Sequence, residues 1–373
     1  MSLHRRDFLR WSAAGTCSVT LGMSFWRSLY AAPASPGPGP YGPLAATPDS
    51  NGFLLPAGFS SRVIGTTGTE VGTTGYVWHL ANSEVPLVGG AAMLRFSAAG
   101  ELTAARRILS GTTANCAGGP TPWGTWLSCE EFELGRVWEC YLDGRPAQAR
   151  PDLGRFSHEA VAVDPLRRAL YLTEDQSNGR LYRYLPSTWT DLSRGTLYAA
   201  RVTWDDGQQL GGTLTWARVP DDVSARVWPM STYTTGFNGG EGCWYDAGLV
   251  YFATKGDNRV WSYDAGSGRL EVVYAAALFP DSPLRGVDNL VVSRSGDIYV
   301  AEDGGDMELC LITPDPDRKV SAFLRLLGHA GSEITGPAFN PAGDRLYFSS
   351  QRGRNGGGVG VTFEVRGPFR TTR

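Results

Sequence analysis

One unit recurs along the chain: an extended run closing on small and acidic residues, a short polar loop, then a second extended run rich in aromatics. Thr125-Trp126-Leu127-Ser128-Cys129-Glu130-Glu131 precedes Arg136-Val137-Trp138-Glu139-Cys140, and Leu170-Tyr171-Leu172-Thr173-Glu174-Asp175 precedes Arg180-Leu181-Tyr182-Arg183-Tyr184. The runs ending at Lys255, Asp303 and Gln351 repeat the pattern, and Leu80-Ala81-Asn82-Ser83-Glu84 is a weaker copy. Aligned on the residue that ends the first run, the copies sit at 84, 130, 174, 255, 302 and 351, in steps of 46, 44, 81, 47 and 49. Further β-rich runs flank each pair, as in Ala160-Val161-Ala162-Val163-Asp164 and Leu270-Glu271-Val272-Val273-Tyr274. Four short strands in about 45 residues is the period of a propeller blade. The chain is therefore expected to be all-β, a six-bladed β-propeller. The long step places an inserted excursion at about 186–235, and the run Phe59 to Ile64 would supply the outer strand of the last blade, leaving no exposed edge.

The N-terminus reads as an address. Arg5-Arg6-Asp7-Phe8-Leu9, a weakly apolar stretch from Trp11 to Trp26 and the small-residue run Ala32-Pro33-Ala34 make a twin-arginine export signal. The expected organisation is a signal peptide at 1–34, a Pro/Gly-rich linker at 35–50 and one propeller domain at 51–373. The twin-arginine export machinery is then a partner, and the destination is the periplasm or the exterior. Beyond residue 34 the charges are 30 basic against 36 acidic, which disfavours nucleic acid as a partner. No other segment is apolar and long enough to span a bilayer, so no stable membrane insertion is expected, and the protein is read as a monomer. Five cysteines follow the signal, an odd number that leaves at least one thiol outside any intramolecular disulfide.

In a propeller the innermost strand starts, and the next strand ends, on one face beside the central channel. Those positions are charged in this sequence. Strand starts carry His158, Glu159, Glu241, Asp288 and Asn289, with Arg285 just before; strand ends carry Glu84, Cys129, Glu130, Glu174, Asp175, Lys255, Glu302, Asp303, Gln351 and Arg352. So many carboxylates around one axis repel unless cations sit among them. Oxygen ligands with an Asn amide favour Ca²⁺, whereas a Cys129 thiolate beside Glu130 suits a transition metal. Lys255, Arg285 and Arg352 would then hold an anionic substrate. Three histidines beyond the signal are too few for a zinc-histidine hydrolase. No Gly-x-Ser-x-Gly elbow and no P-loop lysine is present.

The run from Asn115-Cys116-Ala117-Gly118-Gly119 through Thr121-Pro122-Trp123-Gly124-Thr125-Trp126 to Cys129-Glu130-Glu131 resembles the PhoX family of exported alkaline phosphatases. Phe156-Ser157-His158-Glu159-Ala160, Thr173-Glu174-Asp175, Gly239-Gly240-Glu241-Gly242, Asp288-Asn289-Leu290 and Ala301-Glu302-Asp303 fit it too. The resemblance runs from about Asn51 to Phe363. It implies a six-bladed propeller whose channel holds Fe³⁺ and Ca²⁺ and which hydrolyses small phosphate monoesters. Cys129 stands at the iron-ligating position, with Glu130, Glu159, Glu241 and Glu302 at matching acidic positions. The implied metal set is Cys129, Glu130, Glu159, Glu174, Asp175, Glu241, Asp288, Asn289, Glu302, Asp303 and Glu84, with Arg285 or Lys255 steadying the phosphate. The chain is short for the family: only Leu80 and Ala81 separate Trp78-His79 from Asn82-Ser83-Glu84, so a first blade with a strand missing is expected. A calcium-dependent lactonase-like propeller and a non-catalytic calcium-stabilised binding propeller are the alternatives.

Overall fold

The computed structural model describes residues 32–67, 77–97, 99–220, 224–227, 229–314 and 318–372, with side chains at 77–80 set aside. The twin-arginine motif lies outside the described residues. All regular structure among them is β apart from four single turns of 3₁₀ helix, and none of their helices is long and apolar enough to cross a membrane.

The strands form five hydrogen-bonded sheets. Val77–Ser83, Gly89–Phe96 and Leu102–Thr112 make the first, a three-stranded meander. The second runs from Asn115–Pro120 through Thr125–Glu130 and Val137–Tyr141 to Gln148–Ala149. Two four-stranded meanders follow, His158–Asp164 to Asp191–Trp204 and Gly240–Asp246 to Arg269–Ala275. They are not separate. The strand Gly211–Arg218 pairs with Asp191–Trp204 on one side and, through Gly211, Gly212 and Thr213, with Arg269–Ala275 on the other, so the two meanders fuse into one nine-stranded sheet. The excursion expected at 186–235 therefore supplies this bridge, and six separate blades are replaced by five sheets. The fifth meander, Val287–Val292 to Lys319–Leu326, is followed by Ile334–Phe339, Arg345–Ser350 and Val361–Arg366, whose outer neighbour is Ser60–Thr66 from the start of the domain. That pairing covers the edge of the last sheet with the earliest long strand.

The first strands of successive sheets lie against one another in chain order, from Asn115–Pro120 through His158–Asp164, Gly240–Asp246 and Val287–Val292 to Ile334–Phe339. These inner strands define the axis. Their close approach explains Gly119, where a Cβ would lie 1.8 Å from Val161 O of the next inner strand; at Gly118 a Cβ would lie 1.9 Å from Leu127 O of the paired strand in the same sheet. Apolar clusters fill the seams between sheets, as with Leu127, Val137, Phe156, Leu172 and Tyr182 between the second and third meanders. At the first sheet the buried cluster among the described residues is Ala91, Leu109 and Cys140.

The segment expected as a linker is part of the body. Ser35–Pro36 pairs in parallel with Lys319 and Val320, and Tyr41 packs edge-on against Phe59 and Phe323. Ala34, the last residue assigned to the signal, is fully buried and its N–H donates to Val273 O at 2.7 Å.

Candidate metal centre

Four of the five inner strands open with the same local irregularity. Asn115, His158, Gly240 and Val287 pair with Glu130, Glu174, Thr254 and Glu302, and immediately afterwards the register shifts. Such a bulge leaves residues unpaired and re-aims their side chains. The residues released are Cys116, Glu159, Glu241 and Asp288, and all four turn toward the axis. Opposite them, the residue just past the end of each second strand points the same way: Glu131, Asp175, Lys255 and Asp303.

These groups form a chain of contacts. Cys116 Sγ lies 3.3 Å from Glu159 Oε1. Donor atoms of Glu84, Cys116 and Glu131 lie within 4.8 Å of one another, as do those of Glu159, Glu241 and Asp288, and those of Asp288, Asp303 and Glu333. Lys255 Nζ sits 2.8 Å from Glu241, 3.2 Å from Asp303 and 3.5 Å from Asp288. Glu84 takes a hydrogen bond from Gln351 Nε2 at 2.6 Å, which ties the first sheet to the last across the same mouth. Arg352 Nη2 reaches Glu333 at 3.2 Å from a half-exposed position on the rim. Asn289 donates to Asp288 Oδ1, while its own Oδ1 accepts from Thr335 and from the Gly336 N–H. It orients Asp288.

The electrostatics follow from that crowding. Burial, then hydrogen bonding and charge from Asp175, push Glu131 up to about 8. Burial, with Asp303 beside it, does the same to Glu333. Asp288 rises to about 6, chiefly by burial, with Lys255 opposing the shift. Burial raises Glu159 and Glu241 well above the carboxylate range, with neighbouring carboxylates adding to it. Two ionised carboxylates about 4 Å apart repel by on the order of 4 kcal/mol at an effective dielectric of 20. A typical hydrogen bond returns about 1 kcal/mol. Hydrogen bonds alone therefore cannot hold this set ionised. Protons, Lys255 or bound cations must balance it. The donor set fits divalent or trivalent cations, with oxygens throughout and one thiol at the Glu84 and Glu131 end.

Four of the expected ligands, Glu130, Glu174, Glu302 and Cys129, lie elsewhere. Glu130 accepts from the N–H groups of Thr113 and Arg136, Glu302 from those of Arg285 and Glu308, and Glu174 from the Arg180 N–H, Tyr182, Ser224 and Arg226. One donor is in each case the N–H six residues on, at the start of the third strand: 130 to 136, 174 to 180, 302 to 308. These glutamates staple the loop between two strands, and their oxygens are filled by protein donors. The residue after each faces the axis because successive strand residues point in opposite directions. Cys129 does not reach the centre either: it is fully buried in the apolar cluster with Leu127, Val137 and Phe156, and burial pushes its thiol up. The thiol at the centre is Cys116. The expected phosphate-binding pair is also redistributed. Lys255 is engaged by three carboxylates, and the exposed Arg285 guanidinium donates to Pro280 O, leaving Arg352 at the rim.

Of the sequence-derived set, Glu84, Glu159, Asp175, Glu241, Asp288 and Asp303 are brought together. Cys116, Glu131 and Glu333 were not singled out. Cys116 follows Asn115 as Glu159 follows His158, and that strand-start parity was its signal; Glu333 precedes a last inner strand without an acidic residue at the matching point.

The fold and the centre together define a propeller-like all-β protein with a cluster of carboxylates and one thiol, buried at Glu159, Glu241 and Asp288 and open to solvent at Glu84, at one end of its axis. Residues 78–144 and 144–353 match the family described as alkaline phosphatase PhoX, and the chain belongs to that family. Among curated protein sequences none matches it. A solved structure assigned as a gluconolactonase shares 16% identity at a TM-score of 0.50, over 88% of this chain and 99% of that one. The PQQ domain of pyranose dehydrogenase from Coprinopsis cinerea, in its holo form, shares 12% at a TM-score of 0.53, over 90% of this chain and 100% of that one. At such identities these likenesses concern the fold alone.

Proposed function

We propose that the chain is an exported metal-dependent phosphomonoesterase acting on small phosphorylated substrates at the axial centre. The observation that carries this reading is the convergence, in a member of the alkaline phosphatase family, of Glu84, Cys116, Glu131, Glu159, Glu241, Asp288, Asp303 and Glu333 on one patch that runs from the exposed Glu84 to the buried Glu159, Glu241 and Asp288. Fe³⁺ is assigned to the end bearing Cys116, whose sulfur suits a transition metal, and Ca²⁺ to the all-oxygen groups around Asp288. When bound, such ions neutralise phosphate charge and lower the pKa of a bound water. The chain's own contribution is placement. The inner-strand bulges aim the ligands, Asn289 fixes Asp288, and Lys255 offsets the charge of Glu241, Asp288 and Asp303. Arg352, with its side chain 46% exposed, presents N–H groups to a phosphate entering from solvent.

Within this reading the nine-stranded sheet counts as two fused blades, making six. Export by the twin-arginine route, a periplasmic or extracellular destination and a monomeric state belong to the same proposal.

Elemental analysis of protein from a native-like host, coupled to hydrolysis of p-nitrophenyl phosphate, tests it. Iron with calcium and hydrolysis abolished by chelation is the expected result. Calcium alone with no hydrolysis favours the lactonase-like or binding propeller, and protein without bound metal defeats all three readings.

A further inference from the structure

Far from the axis, the outer strands of the first and second sheets enclose a cavity of about 430 Å³. Three arginines line it: Arg106 and Arg107 from Leu102–Thr112, and Arg145 from the loop after Val137–Tyr141. The walls include the rings of Trp138 and Tyr141. Against three guanidiniums the nearby acid is Asp143, which pairs with Arg145 Nε at 2.8 Å. Arg145 lies over the Tyr141 ring at 4.2 Å, and Arg106 Nη2 donates to Leu142 O at 2.8 Å. The Arg107 guanidinium has no hydrogen bond or ion pair among the described residues; its backbone pairs with Ala92. A positive pocket is out of keeping with a chain of 34 basic and 37 acidic residues.

From this geometry we infer a second, non-catalytic binding site for a small organic phosphate or phosphonate dianion. The guanidiniums match a tetrahedral oxyanion through forked N–H donors, two already held in place by Leu142 O and the Tyr141 face. The aromatic wall receives the organic body. The volume falls within the usual range for small-molecule sites and is too small for a folded partner. None of the axial groups takes part, so the site stands or falls independently of the catalytic reading.

Phenylphosphonate, whose carbon–phosphorus bond resists phosphatase action, is the probe, titrated calorimetrically into the metal-loaded full chain. A binding event is expected that weakens about tenfold or more in R106A/R107A, which lacks two of the three guanidiniums. Hydrolysis of p-nitrophenyl phosphate should keep its kcat in that variant. The single Arg107→Glu change, on an exposed side chain, should weaken the same event and keeps the test open if the double variant misfolds. Sulfate, which leaves the aromatic wall unfilled, should bind at least tenfold more weakly. Unaltered phenylphosphonate binding in both variants, equal affinity for sulfate, or a parallel loss of kcat would each overturn the assignment.

Discussion

Cys116 Sγ lies 3.3 Å from Oε1 of Glu159, although 43 residues separate them in the chain. Each stands one place into its inner strand, directly after a residue paired to the neighbouring strand, and each is turned to the axis by the same bulge. The contact marks where two sheets meet at the centre, and it distinguishes Cys116 from Cys129, which lies in an apolar seam.

That distinction is testable by a pair of substitutions. Cys116→Ser should remove bound iron and lower kcat for p-nitrophenyl phosphate by on the order of a hundredfold, the scale of a ligand displaced by about 1 Å. Cys129→Ser should keep both, but lower stability by roughly 1–3 kcal/mol because a hydroxyl replaces a thiol in an apolar seam. Metal content, steady-state kinetics and thermal melting separate the two. The opposite pattern would return the ligand role to Cys129.

The strand-end acids should divide in the same way. In Glu302→Gln an amide NH₂ must face one of the two N–H groups, of Arg285 or Glu308, that the carboxylate now accepts, at a cost of about 1–3 kcal/mol. Asp303→Asn, one residue on, should instead lower metal content and kcat with little change in melting temperature. Urea denaturation and kinetics on both variants read this directly; equal kinetic losses would mean that Glu302 serves the centre after all.

Removing the cations should make stability strongly pH-dependent. In the metal-free fold Glu131 and Glu333 titrate near 8 and Asp288 near 6, above their ordinary values of 4.5 and 3.8. The folded state then holds more protons than the unfolded chain between about pH 4 and 8, so unfolding free energy falls as pH rises through that window. Chelated, desalted protein should melt at progressively lower temperature from pH 5 to pH 9, and the metal-loaded protein much less so. Parallel curves for the two forms would show that cations are not the compensating charge.

The N-terminal strap offers a further measurement. A chain starting at Ser35 loses the buried Ala34 methyl and its hydrogen bond to Val273 O, and should be less stable than one starting at Ala32 by about 1–3 kcal/mol. Thermal melting of the two chains decides it; identical melting would make Ala34 a passenger.

The repeat spacing, the alternation of apolar and polar residues and the position of the long step are local properties, and they sufficed for an all-β propeller-like fold with an irregularity between 186 and 235. Acidic residues at repeat ends likewise marked where the centre would lie. Which acids reach it was decided by backbone geometry that pairing alone creates. Glu130 and Glu131 are equivalent as letters, yet one faces the loop and the other the axis, because strand residues alternate and the inner strands bulge at one step. The fusion of two meanders was likewise invisible, since Gly211–Arg218 reads as an ordinary β-rich run until Gly211 to Thr213 find Arg269 to Glu271. Composition and period determined what kind of protein this is. Hydrogen-bond register between strands distant in sequence determined which side chains share its centre.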